Sequence, residues 1–299
     1  MKPLKAYADR IAAVVCAAAL ALVMAGCTQE TYTPESGTAS VSSPTIGEDG
    51  VLRVGVDSSS APLAGESTTT GNIVGIDVDI AAALADELGL KVEIVDVGDD
   101  AATALSEGTV DIVLGVEVSN TSETYWLSDT YLDTAVALFA LADASSEVPT
   151  NVSTLTVAAQ VSSQSAWAVA NQLDQATLTT TTTLESAFTA LSAGTVSYVA
   201  SDAIIGTFAA YSIDLDVQIV ALMEEASGYC VAVLSTNTDL QVAIAEALDT
   251  ISSNGVIDLI EKKWLGTTVD LSDAAVIDDS DEETSDGTAD ETSDETATE

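Results

Sequence analysis

Histidine is absent from all 299 residues. That removes the imidazole from a Ser-His-Asp nucleophilic triad, from a His-ligated zinc site and from acid/base catalysis near neutral pH. The three cysteines, Cys16, Cys27 and Cys230, are too few for a metal cluster or a disulfide framework. Carboxylate is what remains in quantity, with 48 Asp+Glu against 7 Lys+Arg and a formal charge of −41. So negative a chain repels phosphate backbones, and no nucleic acid is expected as a partner. The basic residues are Lys2, Lys5, Arg10, Arg53, Lys91, Lys262 and Lys263, so Lys91 is the only cation between Val54 and Glu261. A ligand held by that stretch is expected to be neutral or cationic, or gripped by backbone amides and hydroxyls. Nothing in the residue pattern calls for a metal or a cofactor.

The two ends read differently from the middle. Lys2, Lys5 and Arg10 precede an apolar run of 14 residues, Ile11 to Met24. That is the pattern of an export signal and is short for a spanning helix, which needs about 20 residues. The run closes in Met24-Ala25-Gly26-Cys27, which resembles a bacterial lipobox. Residues 1–26 are therefore expected to be a lipoprotein signal peptide. Cys27 is the expected lipid attachment, holding the protein to the bilayer at the extracellular face of the cell membrane. Residues 27–50, rich in Ser, Thr, Pro and Gly, are expected to be a flexible tether. Residues 270–299 are expected to be a disordered acidic tail, because 278–299 hold eleven acids and no large apolar residue. Cys230, inside Gly228-Tyr229-Cys230-Val231-Ala232-Val233, is expected to be a small core hydrophobe.

Between these ends, apolar strands alternate with amphipathic helices. Leu52 to Val56 is expected to be a strand, and Ile76, Ile80, Ala83, Leu84 and Leu88 recur at helical spacing before Gly89. Strands are expected at Lys91–Val95 and Val110–Leu114, with a short helix over Ala101–Ser106. The second half alternates in the same way, with strand Thr154–Ala158, helix Ser163–Leu173, strand Leu178–Thr183, helix Leu184–Ala193 and strand Ser197–Ala200. A long helix over Asp239–Ile251 and a closing segment Val256–Trp264 complete it. Such alternation predicts an α/β protein with parallel strands joined by right-handed crossovers.

Several stretches are similar to extracellular solute-binding proteins of the amino-acid ABC-importer type. They are Leu52-Arg53-Val54-Gly55-Val56-Asp57 followed by Gly75-Ile76-Asp77-Val78-Asp79-Ile80, then Leu105 to Ile112, Leu127-Ser128-Asp129-Thr130-Tyr131, and Ile260-Glu261-Lys262-Lys263-Trp264-Leu265-Gly266. The likeness covers about residues 51–268 in the family's order. It implies a two-lobed periplasmic-binding-protein-like fold with two hinge crossings and an interlobe cleft. Lobe one would be 51–138 plus 231–268 and lobe two 142–228, with crossings near Leu138–Leu141 and Cys230–Ala232. The implied function is capture of a small polar solute by cleft closure and delivery to an ABC permease in the membrane.

The resemblance also implies a ligand site. Asp57 matches an acid after the first strand. Gln160-Val161-Ser162-Ser163-Gln164 matches a turn whose amides and hydroxyls hold a ligand carboxylate at a helix N-terminus. Asp202 matches the acid that pairs an α-ammonium group. Ser163 and Asp202 also read as plain helix N-caps. The family's carboxylate-clamping arginine is missing from Val116 to Thr124, where Glu123 or Thr121 falls near its position. Ser60 and Gly98 stand where aromatic side chains would sandwich the solute, and Tyr125 and Trp126 are candidates to replace them. The cleft is therefore expected to accept a neutral or cationic, amino-acid-like solute, with Asp57, Asp202 and Glu117 or Glu123 as counter-charges. The alternatives are a surface-anchored sensory or interaction protein that has lost transport binding, and a small-molecule dehydratase on the same fold.

Overall fold

The computed structural model describes residues 38–145, 148–149, 154–173 and 175–277. The expected signal peptide, Cys27 and the segment 278–299 lie outside the described residues. The remainder builds two sheets, each the centre of one lobe. In the first lobe, β1 (Val51–Val56) leads through a small hairpin, β2 (Gly65–Glu66) and β3 (Ile73–Val74), into α1 (Ile76–Glu87). Then come β4 (Lys91–Asp96), α2 (Ala101–Ser106), β5 (Ile112–Glu117), β6 (Tyr125–Leu127) and β7 (Leu132–Thr134). The second lobe contains β8 (Val136–Leu141), β9 (Thr156–Gln160), α3 (Gln164–Gln172), β10 (Thr177–Thr181), α4 (Leu184–Ser192), β11 (Tyr198–Asp202), α5 (Ala203–Ser212) and β12 (Val217–Leu222). The chain then returns to the first lobe through β13 (Ser227–Leu234), α6 (Thr238–Ser253) and α7 (Val256–Leu265).

The first sheet runs β4-β1-β5-β13-β6, with β7 also on β13, and the second runs β10-β9-β11-β8-β12. Within each, three strands are parallel: β4, β1 and β5 in one, β10, β9 and β11 in the other. The strands next to a crossing, β8 and β13, run antiparallel to their neighbours. Alternation of β and α thus predicts the parallel half of each sheet and misses the antiparallel half.

The helix α1 shows how the first lobe is held. Ile76, Ile80, Leu84 and the neighbouring alanines face a core that includes Leu52, Val54, Ile112, Val231 and Ile244. Each such aliphatic side chain contributes roughly 1.5–3 kcal/mol on burial. The loop after β1 is pinned to the start of this helix, with Ile76 N donating to Pro62 O and Asp77 N to Leu63 O. A Cβ at Gly75 would lie 2.1 Å from Leu63 O, so only glycine permits that approach. This contact sets residues 57–63 against Asp77. The second lobe's core centres on Phe139 and Phe188, whose rings meet edge to face at 5.5 Å and 82°.

Three expectations are corrected. Crossings near Leu138–Leu141 and Cys230–Ala232 are excluded, because Leu138 pairs with Ala200 and Ala221 on either side, and Cys230 with Val116. A strand hydrogen-bonded within a sheet cannot change sheets there; the chain crosses at Ala135 and over 223–226 instead. Residues 38–50 are docked rather than a tether. Ile46 is buried in the first-lobe core, Ser40 N donates to Leu88 O, Gly47 N to Asp111 Oδ1, and Asn237 Nδ2 to Thr45 O. Apolar anchors at Val41 and Ile46, with satisfied backbone groups, outweigh a composition typical of linkers. The acidic tail does not begin at 270 either. Leu271 is 3% exposed within the second-lobe core, and Leu222 exchanges hydrogen bonds with Ala275 and Ile277. Residues 267–277 therefore form a third connection between the lobes, leaving α7 on the first and ending on β12 of the second. Cys230 is fully buried, as expected for a core hydrophobe.

Candidate functional site

The parallel strands β1, β4 and β5 end on one side of the first sheet, the side on which α/β folds place ligands. A cavity of about 360 Å³ lies there, within the range of small-molecule sites. Its wall is built from Asp57 and Ser60 after β1, Gly98 and Asp99 after β4, and Glu117 and Asn120 at the end of β5. Leu63, Ala101, Val113 and Val116 supply apolar surface, and Asp77 of α1 also lines the cavity. A wider groove of about 620 Å³ runs along the opposite part of the lobe, between residues 40–45 and α6, and includes none of these strand-end residues.

Asp57 is held as an anion. Its Oδ1 accepts from Ser59 N at 2.9 Å and Ser59 Oγ at 2.7 Å, and its Oδ2 from Ser60 Oγ at 2.7 Å. Partial burial would raise its pKa, but these donors outweigh it and hold the carboxyl below its usual range. Asp77 is the reverse case. It is 1% exposed, and burial pushes its carboxyl up to about 7 against the pull of the Tyr131 hydroxyl. Tyr131 donates to Asp77 Oδ1 at 2.6 Å and accepts from Gly115 N at 2.8 Å. Oδ2 of Asp77 has no hydrogen-bond partner among the described residues, and a Cβ on Gly115 would sit 2.7 Å from it.

Asp202 caps α5, accepting at Oδ1 from Ile204 N and Ile205 N at 2.9 Å each. Its Oδ2 accepts from the hydroxyl of Thr134, a residue of the first-lobe strand β7, so this carboxylate joins the lobes beside the hinge. Burial raises its pKa, the donors pull it down, and the charge of Glu117 raises it further. Tyr229 of β13, opposite Glu117 in register, is buried between Asp202, Glu117 and Asp77; desolvation and those charges raise its hydroxyl pKa.

The sequence-derived site residues are only partly assembled. Asp57, Ser60 and Gly98 line the cavity, and Gly98 adds no side chain to it. Of the two acids expected as a counter-charge, Glu117 is the one that lines it. Glu123 is exposed and is not among the lining residues, because the strand ends at Glu117 and the chain turns away. Ser162, Ser163 and Gln164 sit at the start of α3 in the other lobe, also outside the lining. Ser163 is an N-cap, accepting from Ala166 N at 3.0 Å and donating to Gln160 O at 2.8 Å. The amides of Gln164 and Ser165 have no acceptor among the described residues, so this helix end can still receive an anionic or carbonyl group. Tyr125 is buried with its hydroxyl on Asn120 O, and Trp126 packs on the first-lobe core, so neither replaces the missing aromatics.

Sequence reasoning misses Asp77 and Tyr229. Asp77 carries a signal: an acid on the buried stripe of an apolar helix, one residue after Ile76, demands a partner or a function. No cation lines the cavity. Arg53 is spent on Asp111 at 2.7 Å, Lys263 on Asp79, and Lys91 starts β4 at its far end.

Comparison with known proteins agrees with this architecture. Residues 52–267 match the bacterial extracellular solute-binding proteins, family 3. An ancestral cationic amino acid solute-binding protein is 27% identical, covering 72% of this chain and 96% of its own, with a TM-score of 0.59. A polar amino acid ABC uptake transporter substrate-binding protein from Streptococcus thermophilus is 21% identical over 73% and 87%, with a TM-score of 0.66. The L-cystine solute receptor of Neisseria gonorrhoeae, unliganded and open, is 20% identical over 73% and 94%, with a TM-score of 0.61. None of the curated proteins matches.

Proposed function

Because the chain belongs to family 3 of the bacterial extracellular solute-binding proteins, we propose that it captures a small neutral or cationic, amino-acid-like solute for an ABC permease. One observation carries the charge assignment: Asp57, Asp77, Asp99 and Glu117 line the cavity and no basic side chain does. Desolvating a free carboxylate costs several kcal/mol, and a helix terminus offsets only about 1–2 kcal/mol of it. An ammonium group, or a neutral solute rich in donors, relieves the carboxylates already there. The resemblance to an ancestral binder of cationic amino acids supports the same sign.

Capture would proceed by closure, bringing the N-terminus of α3 and the edge of Asp202 over the first-lobe cavity. Cys27 is proposed as the lipid attachment, which places the cleft at the extracellular face of the membrane next to its permease. A thermal-shift panel of amino acids, amines and small peptides tests the assignment. A solute at 100 times its dissociation constant adds about 2.7 kcal/mol, which is easily measured. If no solute stabilises the protein, the capture role fails, and a surface component without transport binding takes its place.

A further inference from the structure

Ser60 and Gly98 add little bulk to the cavity's lining, and the lack of a Cβ at Gly115 leaves room beside Asp77 Oδ2. Asp77 is 1% exposed, yet one of its oxygens has no partner among the described residues, although the residue lines the cavity. No fully buried side-chain oxygen among the described residues lacks a partner, so Oδ2 is accessible, and a donor arriving from the cavity can pair with it. The same lining includes the aliphatic side chains of Leu63, Val113 and Val116 and the carboxylates of Asp57 and Glu117. Among the described residues no three acids converge closely enough to hold a metal ion. The negative groups are spread along the cavity, so a point cation cannot meet them together, whereas an extended dication can.

Resting on the charge assignment made above, we propose that the solute is a linear aliphatic diamine: one ammonium on Asp77 Oδ2, the methylene chain along Leu63, Val113 and Val116, and the second ammonium between Asp57 and Glu117. A diamine carries no carboxylate, so it needs no cationic clamp. Its methylenes suit the aliphatic part of the lining, and its two charges suit carboxylates that do not converge on one point.

Calorimetric titration of the purified protein with cadaverine, n-pentylamine, L-lysine and L-glutamate tests this. Cadaverine is lysine without its carboxylate, and n-pentylamine is cadaverine without its second charge. Cadaverine is expected to bind at least about tenfold more tightly than either. Asp77→Asn keeps the shape and the acceptor for Tyr131, and is expected to erase the preference for cadaverine over n-pentylamine. A readout without a variant is the pH dependence of the wild type. The groups around Asp77 are the hydroxyls of Tyr131 and Tyr229, both neutral in this range, with Asp57, Asp99 and Glu117 also lining the cavity. The cadaverine preference should therefore grow as pH rises through about 7, where Asp77 becomes charged.

Equal binding of cadaverine and n-pentylamine, or no binding of cadaverine, overturns the diamine. So does a preference that survives Asp77→Asn, or one that stays flat with pH. Lysine binding more tightly than cadaverine while glutamate stays silent overturns the diamine alone and leaves the charge assignment standing. Glutamate binding removes both.

Discussion

Replacing Leu271 by alanine should destabilise the protein strongly, although it lies beyond the last helix. Leu271 is 3% exposed and belongs to the core of the second lobe, while the helix it follows packs on the first. A Leu→Ala change in a core costs about 2–5 kcal/mol, and a strap near the chain end relaxes more easily than a helix, so about 2–3 kcal/mol is expected. For a domain of this size each kcal/mol moves the melting temperature by about 2–4 °C, giving a drop of about 4–12 °C. Differential scanning calorimetry of Leu271→Ala beside Leu259→Ala, a leucine 67% exposed on α7, gives the comparison. The second variant should melt with the wild type. If the two variants melt together, residues 267–277 are not a third connection, and the tail does begin at 270.

Other perturbations reach different parts of the account. Asp111 accepts from Gly47 N and from Arg53 N, Nε and Nη2, so Asp111→Ala strands a cation and two amides. A loss of about 3–5 kcal/mol in chemical denaturation is expected. Asp77 has its pKa raised in the folded state, so its stabilising contribution is complete below about pH 4 and is lost as pH rises through about 7. A shift of this size is worth as much as about 4 kcal/mol. The ligand-free Asp77→Asn variant should accordingly melt higher than wild type above about pH 8 and show little advantage at low pH. Cys27→Ser should move the protein from the membrane fraction to the medium, as fractionation and blotting would show, and retention of the variant would remove the lipid anchor. Ser163→Ala should cost about 1 kcal/mol by the loss of an N-cap, without changing which solutes bind.

Periodicity makes the helices legible. Ile76, Ile80 and Leu84 repeat at the interval of one buried stripe, and α1 ends at Glu87, just before Leu88 and its glycine stop, Gly89. The crossings are harder because Leu138 and Cys230 are apolar wherever the bend falls, and composition cannot tell a strand's middle from its end. Residues 38–50 and 267–277 escape sequence reading for a different reason. Their docking rests on a few scattered anchors, Val41 and Ile46 in one and Leu271, Ala274 and Val276 in the other, which no window average detects. At the site, Asp57 and Ser60 are legible because their positions follow directly from a strand end. Asp77 is hidden by its neighbours, since its role depends on Tyr131 and Gly115, which lie far along the chain and meet it only when the sheet forms. Glu123 is reached by counting along a loop whose length differs from the family pattern, and the strand end at Glu117 decides the matter instead.

The sign of the solute's charge is the central claim, and equilibrium titration with L-glutamate tests it most directly. Glutamate carries two carboxylates into a cavity lined by Asp57, Asp77, Asp99 and Glu117 with no basic side chain. No binding is expected at millimolar glutamate, while every solute that does bind carries a net charge of zero or above. Micromolar binding of glutamate to the wild-type protein would contradict the account.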